Sequence, residues 1–267
     1  MKIAHEAPLS IFDIVRERTD YLYALVHLYE TNENYLNKFI ESTELGYHVI
    51  LDNSIFELET AFDSDKFLYW INKTSPTEYI IPDVLEDSTG TLQKLGEWKT
   101  IYEPQVATGS KSIGVVQGSS YDDIVYCYRS MIEHVDKIAI SFDYSFMCDA
   151  SITDPSQRAY AFMTGRQELL KRMLADGVID TTVPHHLLGC YLPVEFKAYR
   201  DYDWIDTIDT SNPVVAGINN VRYGPEGLDY KISTKLIEYM DVELNHDQLN
   251  DIMYNINTFR GFCKWFG

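Results

Sequence analysis

The feature that most constrains this chain is an alternation. Short apolar runs of strand length recur along it, each followed by a segment with helical spacing. "YLYALVHLYE" (21–30) precedes the helical "NENYLNKFIESTEL". "YHVILDN" (47–53) precedes "DSDKFLYWINKT", "TEYIIPDV" (77–84) precedes "TLQKLGEWKTIY", and "SIGVVQG" (112–118) precedes "YDDIVYCYRSMIEHV". "KIAISFD" (137–143) leads into the long "DPSQRAYAFMTGRQELLKRMLADG", with Asp154 as helix cap and Pro155 at the first helical position. "HLLGCYL" (186–192) precedes the short "VEFKAYRD", and "WIDTID" (204–209) is the last clear strand. "PVVAGIN" (213–219) is the weak candidate for an eighth, ahead of the helical "STKLIEYM" and "HDQLNDIMYNINTFRGFCKWF". Short buried strands alternating with helices imply a parallel sheet. In 267 residues without an internal repeat or linker, this predicts an α/β fold of the (β/α)8 TIM type, as a single domain over residues 1–267. An open doubly wound sheet is the second topology; no GxGxxG turn follows the first strand to support its dinucleotide-binding form.

Composition narrows the class. No apolar stretch approaches the ~20 residues of a membrane helix. The opening "MKIAHEAPLSIFDIVRERTD" lacks the apolar core of a signal peptide. A cytoplasmic protein with no membrane partner is expected, in the host cytoplasm if the source is viral. Cys127, Cys148, Cys190 and Cys263 lie far apart with no CxxC pair, so free thiols are expected rather than a zinc knuckle or redox motif. The net charge of −19 is spread along the chain, and no Lys/Arg block interrupts it. Nonspecific, tight nucleic-acid binding is disfavoured, because phosphate neutralisation needs clustered cations. A folded patch would have to come from scattered residues: Lys111, Lys197, Arg200, Arg222, Lys231 and Lys235. A partner protein is the other source of such contacts.

In a barrel, chemistry belongs to the C-terminal ends of the strands and the loops after them. Those ends carry Asp52-Asn53, Asp83, Gln117, Ser141 with Asp143, Cys190 and Asp209. A strand-end aspartate also serves as a helix cap or turn former, but three on different strands would face one end of a barrel. HExxH, P-loop and GxSxG motifs are absent. His185 and His186 are adjacent on a strand, so they point to opposite faces and at most one reaches the mouth. Asp122-Asp123 read as the acidic first turn of a helix.

At these residues the chain resembles the tRNA-guanine transglycosylase superfamily. The family's "DSGGFQ" is similar to "DNSIFE" (Asp52 to Glu57), and its guanine-reading Asp to Asp83 in "IIPDVLED". "GIVQGG" is similar to "GVVQGSS" (Gly114 to Ser120), and "AIGGLAVGE" matches "IAISFDYSF" (Ile138 to Phe146) in place. "HYLMGVGKP" is similar to "HHLLGCYLP" (His185 to Pro193), and "GIDMFDC" to "WIDTIDT" (Trp204 to Thr210). The motifs keep their order across roughly residues 45 to 215. Ser54-Ile55 replace the family's glycine pair, and the arginine after its nucleophile strand is missing from "TSNPVVAG". The zinc cluster of the tRNA enzymes is absent, since only Cys263 follows Asp209. With the short chain, this places the resemblance in the compact DNA-directed (DpdA-type) branch, known from phage and bacterial DNA-modification systems.

The resemblance implies exchange of guanine in DNA for a free 7-deazaguanine base such as preQ0, with no cofactor and no zinc site. Such a swap breaks and remakes a C1′–N bond, and a carboxylate nucleophile splits it into two displacements. Asp209 is the implied nucleophile. Asp206, an odd number of residues away, faces the other side of the strand and is structural. Asp52 is the implied acid and base. Asp83, Gln117, Asn53, Gly118 and the backbone at Ser141 and Phe142 are the implied base-binding residues, and Lys197, Arg200 and Arg222 the implied nucleic-acid contacts. The target base would have to leave the helix stack. The same chemistry on tRNA is the nearest alternative. A non-catalytic nucleoside-binding subunit, or a homodimer or partner-dependent form, is the other.

Overall fold

The computed structural model describes residues 1–228, 230 and 236–263; Lys231 and Lys235 lie outside them. Its strands are β1 (Lys2–His5), β2 (Leu22–Leu25), β3 (Val49–Asp52), β4 (Glu78–Ile80), β5 (Lys111–Val116), β6 (Lys137–Ile140), β7 (His185–Leu187) and β8 (Ile205–Thr210). They form one eight-stranded parallel sheet in the order β1-β8-β7-β6-β5-β4-β3-β2. Lys2 lies opposite Thr207, Leu25 opposite Asp52 and Ile113 opposite Lys137. The helices are α1 (Phe12–Arg16), α2 (Val26–Thr31), α3 (Glu33–Glu44), α4 (Ile55–Leu58), α5 (Ser64–Thr74), α6 (Ser88–Glu97), α7 (Tyr121–Met131), α8 (Pro155–Ala175), α9 (Asn212–Ile218) and α10 (His246–Cys263). This alternation is the (β/α)8 TIM-type class.

Two expectations need correcting. Residues 213–219 are not a strand: they lie almost wholly in α9, whose first turn takes Pro213 because its missing N–H would be unpaired there anyway. The eighth strand is β1, only four residues long and too short to alternate visibly. Asp20 and β8 hold it: the Ile3 N–H donates to Asp20 Oδ2 at 3.0 Å. The apolar run 21–30 is also shorter as a strand than it reads, turning helical at Val26.

The loops enter their helices through side-chain caps. Asn32, Asp63, Asp87, Ser120 and Asp154 accept N–H bonds from Tyr35, Lys66, Gly90, Asp123 and Gln157 at 2.9 to 3.2 Å. Helices bury one stripe each. In α5 it is Phe67, Trp70, Ile71 and Thr74; in α7 it is Ile124, Cys127, Tyr128 and Met131. Both follow the i, i+3, i+4, i+7 spacing of an amphipathic helix.

The residues pack as two compact units. One holds Tyr21–Ser141 and Ala175–His186, and so carries β2 to β6. Its core includes Phe67, Tyr79 and Trp98, with the Trp98 indole N–H on the Tyr79 hydroxyl at 3.3 Å. The other holds Met1–Asp20, Phe142–Leu174 and the described residues from Leu187 on. In it, Ala7, Ile11 and Val15 pack with Val214 and Ile218 of α9 and Ile252 and Ile256 of α10. No described helix is long and apolar enough to cross a membrane.

Candidate active-site residues

In the unit carrying β2 to β6, three buried side chains meet at the ends of β3, β4 and β5. The Asn53 amide donates to Asp83 Oδ1 at 2.8 Å and to the Ile81 carbonyl at 3.0 Å. The Gln117 amide donates to Asp83 Oδ2 at 2.7 Å, and its Oε1 accepts the Glu86 N–H at 3.0 Å. Burial pushes the Asp83 carboxyl up to about 6, while the two amides favour its ionised form and pull the other way. A carboxylate offers about four lone-pair sites, of which the two amides take one on each oxygen. Asp52 is half-buried one residue before Asn53, and its Oδ1 accepts the Ser54 N–H at 3.3 Å.

The loops holding these groups are conformationally costly. Ser54 and Glu59 after β3, and Glu86 after β4, adopt left-handed backbone with φ of 60°, 60° and 57°. Each costs on the order of 1 kcal/mol in a residue with a Cβ, and such strain tends to gather where geometry serves function. His27, in the first turn after β2, sends its backbone N–H to Ser54 Oγ at 3.4 Å. Its two ring nitrogens are buried without a hydrogen-bond partner, and burial lowers its pKa, so the ring is neutral at pH 7.

Gly118 ends the β5 turn. A Cβ there would lie 2.6 Å from the Asp123 Cβ and 2.9 Å from the Ile124 nitrogen, so the strand-to-α7 crossing itself requires glycine. Ser141 is half-buried just past β6. His185 and His186 are both fully buried and face opposite ways. His185 bonds the Tyr128 hydroxyl at 3.0 Å, and His186 stacks on Tyr23. Burial lowers His185 to about 4.

In the other unit, Asp209 lies on β8, one residue before its end, and is buried. The Gly189 N–H faces both its carboxylate oxygens, at 3.2 and 3.4 Å. Asp206, in the same strand, is more exposed and pairs with Lys2 at 3.5 Å. Phe142 is buried with Ala159, Met163 and Leu192, so its side chain serves packing. Lys197 is ion-paired to Glu226 and lies over the Phe262 ring. Arg222 stacks on Tyr254 at 3.9 Å and lies 3.8 Å from Asp251. Arg200 is exposed. Lys111, in the first unit, begins β5 and so sits at the opposite end of that strand from Gln117.

Sequence reasoning missed Arg166 and Glu195, which form a fully buried ion pair at 2.8 Å. The signal was present: Arg166 interrupts the apolar stripe Ala159, Met163, Leu170, Met173 of α8. It also missed that Asn53 and Gln117 share Asp83. Among the described residues, no three His, Cys, Asp or Glu side chains gather as a metal set. Compared with known proteins, the chain matches no family model and no curated protein.

Proposed function

We propose that this chain is a guanine transglycosylase that replaces guanine in DNA with a 7-deazaguanine. The observation that carries the reading is the division of labour on β8. Asp206 is spent on Lys2 at 3.5 Å, whereas Asp209 is buried near the strand's end and oriented by the Gly189 N–H. A rigid carboxylate of that kind suits attack on an anomeric carbon. In this reading an Asp209 oxygen bonds to C1′ as the C1′–N9 bond breaks, and Asp52 gives the departing guanine its proton. The incoming base loses its N9 proton to Asp52, and its nitrogen displaces Asp209 from C1′.

The Asn53–Asp83–Gln117 set supports the base-binding half. Asp83 is held flat by two amides, with lone pairs remaining for an N1–H and a 2-amino group. Gln117 has one amide N–H committed to Asp83 and a second for a 6-oxo group. A 7-deazaguanine presents the same edge as guanine, so one set reads both.

The test is nucleoside mass spectrometry on DNA and tRNA, each incubated with protein and preQ0, with Asp209→Ala as control. A deazaguanine deoxynucleoside formed only by the unsubstituted protein is the expected result. Product in tRNA alone would move the substrate to RNA and keep the chemistry. Product formed equally by Asp209→Ala would remove Asp209 from the mechanism.

A further inference from the structure

Arg166 is fully buried in α8, and its partners explain where it is aimed. Its Nε and Nη2 donate to the two oxygens of Glu195 at 2.8 and 2.9 Å. The Tyr199 hydroxyl adds a 2.7 Å bond to Glu195, and the guanidinium lies 5.0 Å from the centre of the Phe142 ring. A pair like this is a poor source of stability. Stripping both ions of water is costly, and apolar residues of equal volume often serve the fold as well.

What the pair supplies is geometry. Arg166 Nη1 donates to the Leu188 carbonyl at 2.6 Å, and Nη2 lies 3.4 Å from Cys190 Sγ. The guanidinium therefore grips both flanks of Gly189. That residue has φ +63°, a backbone open to glycine, and its N–H faces the Asp209 carboxylate. The turn is tied to β8 twice more. The Cys190 N–H donates to the Asp209 carbonyl at 3.1 Å, and the Thr210 hydroxyl to the Cys190 carbonyl at 2.5 Å.

We infer that Arg166, locked by Glu195, is a positioning residue for Asp209: it fixes the Leu188–Cys190 turn so that the Gly189 N–H stays on the carboxylate. The inference rests on Asp209 as the nucleophile of the proposed exchange. Lysine is no substitute, since one ammonium lacks the planar fork that reaches Glu195 and the Leu188 carbonyl together.

The experiment compares Arg166→Lys and the double variant Arg166→Met/Glu195→Met with the unsubstituted protein. Two quantities are read: amide hydrogen exchange at Gly189 and Cys190 against the amides of β5, and kcat and KM for preQ0 in base exchange. Loss of the anchoring bond is expected to speed exchange at Gly189 and Cys190 about tenfold, with β5 unchanged. A displaced carboxylate is expected to lower kcat about tenfold or more, with KM for preQ0 unchanged. The double variant removes both charges together and so keeps the fold if Arg166→Lys does not. Unchanged protection at Gly189, or equal loss at Gly189 and in β5, overturns the inference. If the unsubstituted protein exchanges no base, the transglycosylase reading fails, and the amide exchange alone decides the role of Arg166.

Discussion

Asp206 and Asp209 are three residues apart in one strand and have different surroundings, because alternation turns them to opposite faces. The opposite placement was legible in the sequence; what faces Asp209 was not, since Gly189 is twenty residues away. Asp83 yields the sharper prediction. Its carboxyl is raised to about 6, so it is ionised above that pH and takes a proton below it. In the proposed exchange only the ionised form accepts from both donors of a guanine edge, so kcat/KM for preQ0 should fall about tenfold per unit below pH 6. A pH–rate profile checks this, and Asp83→Asn should lose that limb along with most of the activity. Stability runs the other way. The folded chain binds this proton more tightly than the unfolded one. Its contribution is therefore full below the ordinary aspartate range and fades as pH rises through about 6. The total is about 3 kcal/mol. Urea unfolding from pH 4 to 7 should show the unsubstituted protein losing about 3 kcal/mol relative to Asp83→Asn as the pH rises.

Among the elements, α9 shows how context overrides propensity. "PVVAGIN" has the β-branched pair of a strand, yet Pro213 sits in the first turn of a helix and Gly217 lets it lie against α10. A Cβ on Gly217 would sit 2.4 Å from Ile252 Cγ1 and 2.5 Å from the Ile252 backbone nitrogen. The backbone atom cannot step aside, so the helices must separate and open a core that includes Val214, Ile218, Ile252 and Ile256. Gly217→Ala should therefore cost about 3 kcal/mol, measured by chemical unfolding, despite alanine's better helix propensity. The long helix α8 was the opposite case. Its cap Asp154 and Pro155 marked its start in sequence, and the helix begins there. Its buried arginine was equally visible as a break in the apolar stripe, but the partner Glu195 was not, being 29 residues on in a 3₁₀ turn.

For the whole molecule, the −19 charge sets the terms of any nucleic-acid encounter. Lys197 is ion-paired to Glu226, and Arg222 lies 3.8 Å from Asp251, so neither stands clear of acid. If Lys197, Arg200 and Arg222 all reached phosphates, the slope of log K against log salt on duplex DNA would be about −2.7, at roughly 0.9 per contact. We expect a slope no steeper than that and weak binding at physiological salt, measured by fluorescence anisotropy across a salt series. A steeper slope would mean further cations engage the backbone.

The sequence by itself determined the class of fold, because strand–helix alternation and buried stripes are local patterns, readable a dozen residues at a time. It also placed Asp52, Asp83, Gln117 and Asp209 at or just past strand ends, since a strand's length and exit can be read from its own residues. The tertiary structure alone decided which polar groups share a proton or a charge. The Asn53–Asp83–Gln117 set and the Arg166–Glu195 pair join residues 29 to 34 positions apart. Bonds at that separation arise from how elements pack, and no local periodicity encodes them. It also decided that Lys2–His5 completes the sheet, because a four-residue strand gains its identity from the neighbour it pairs with.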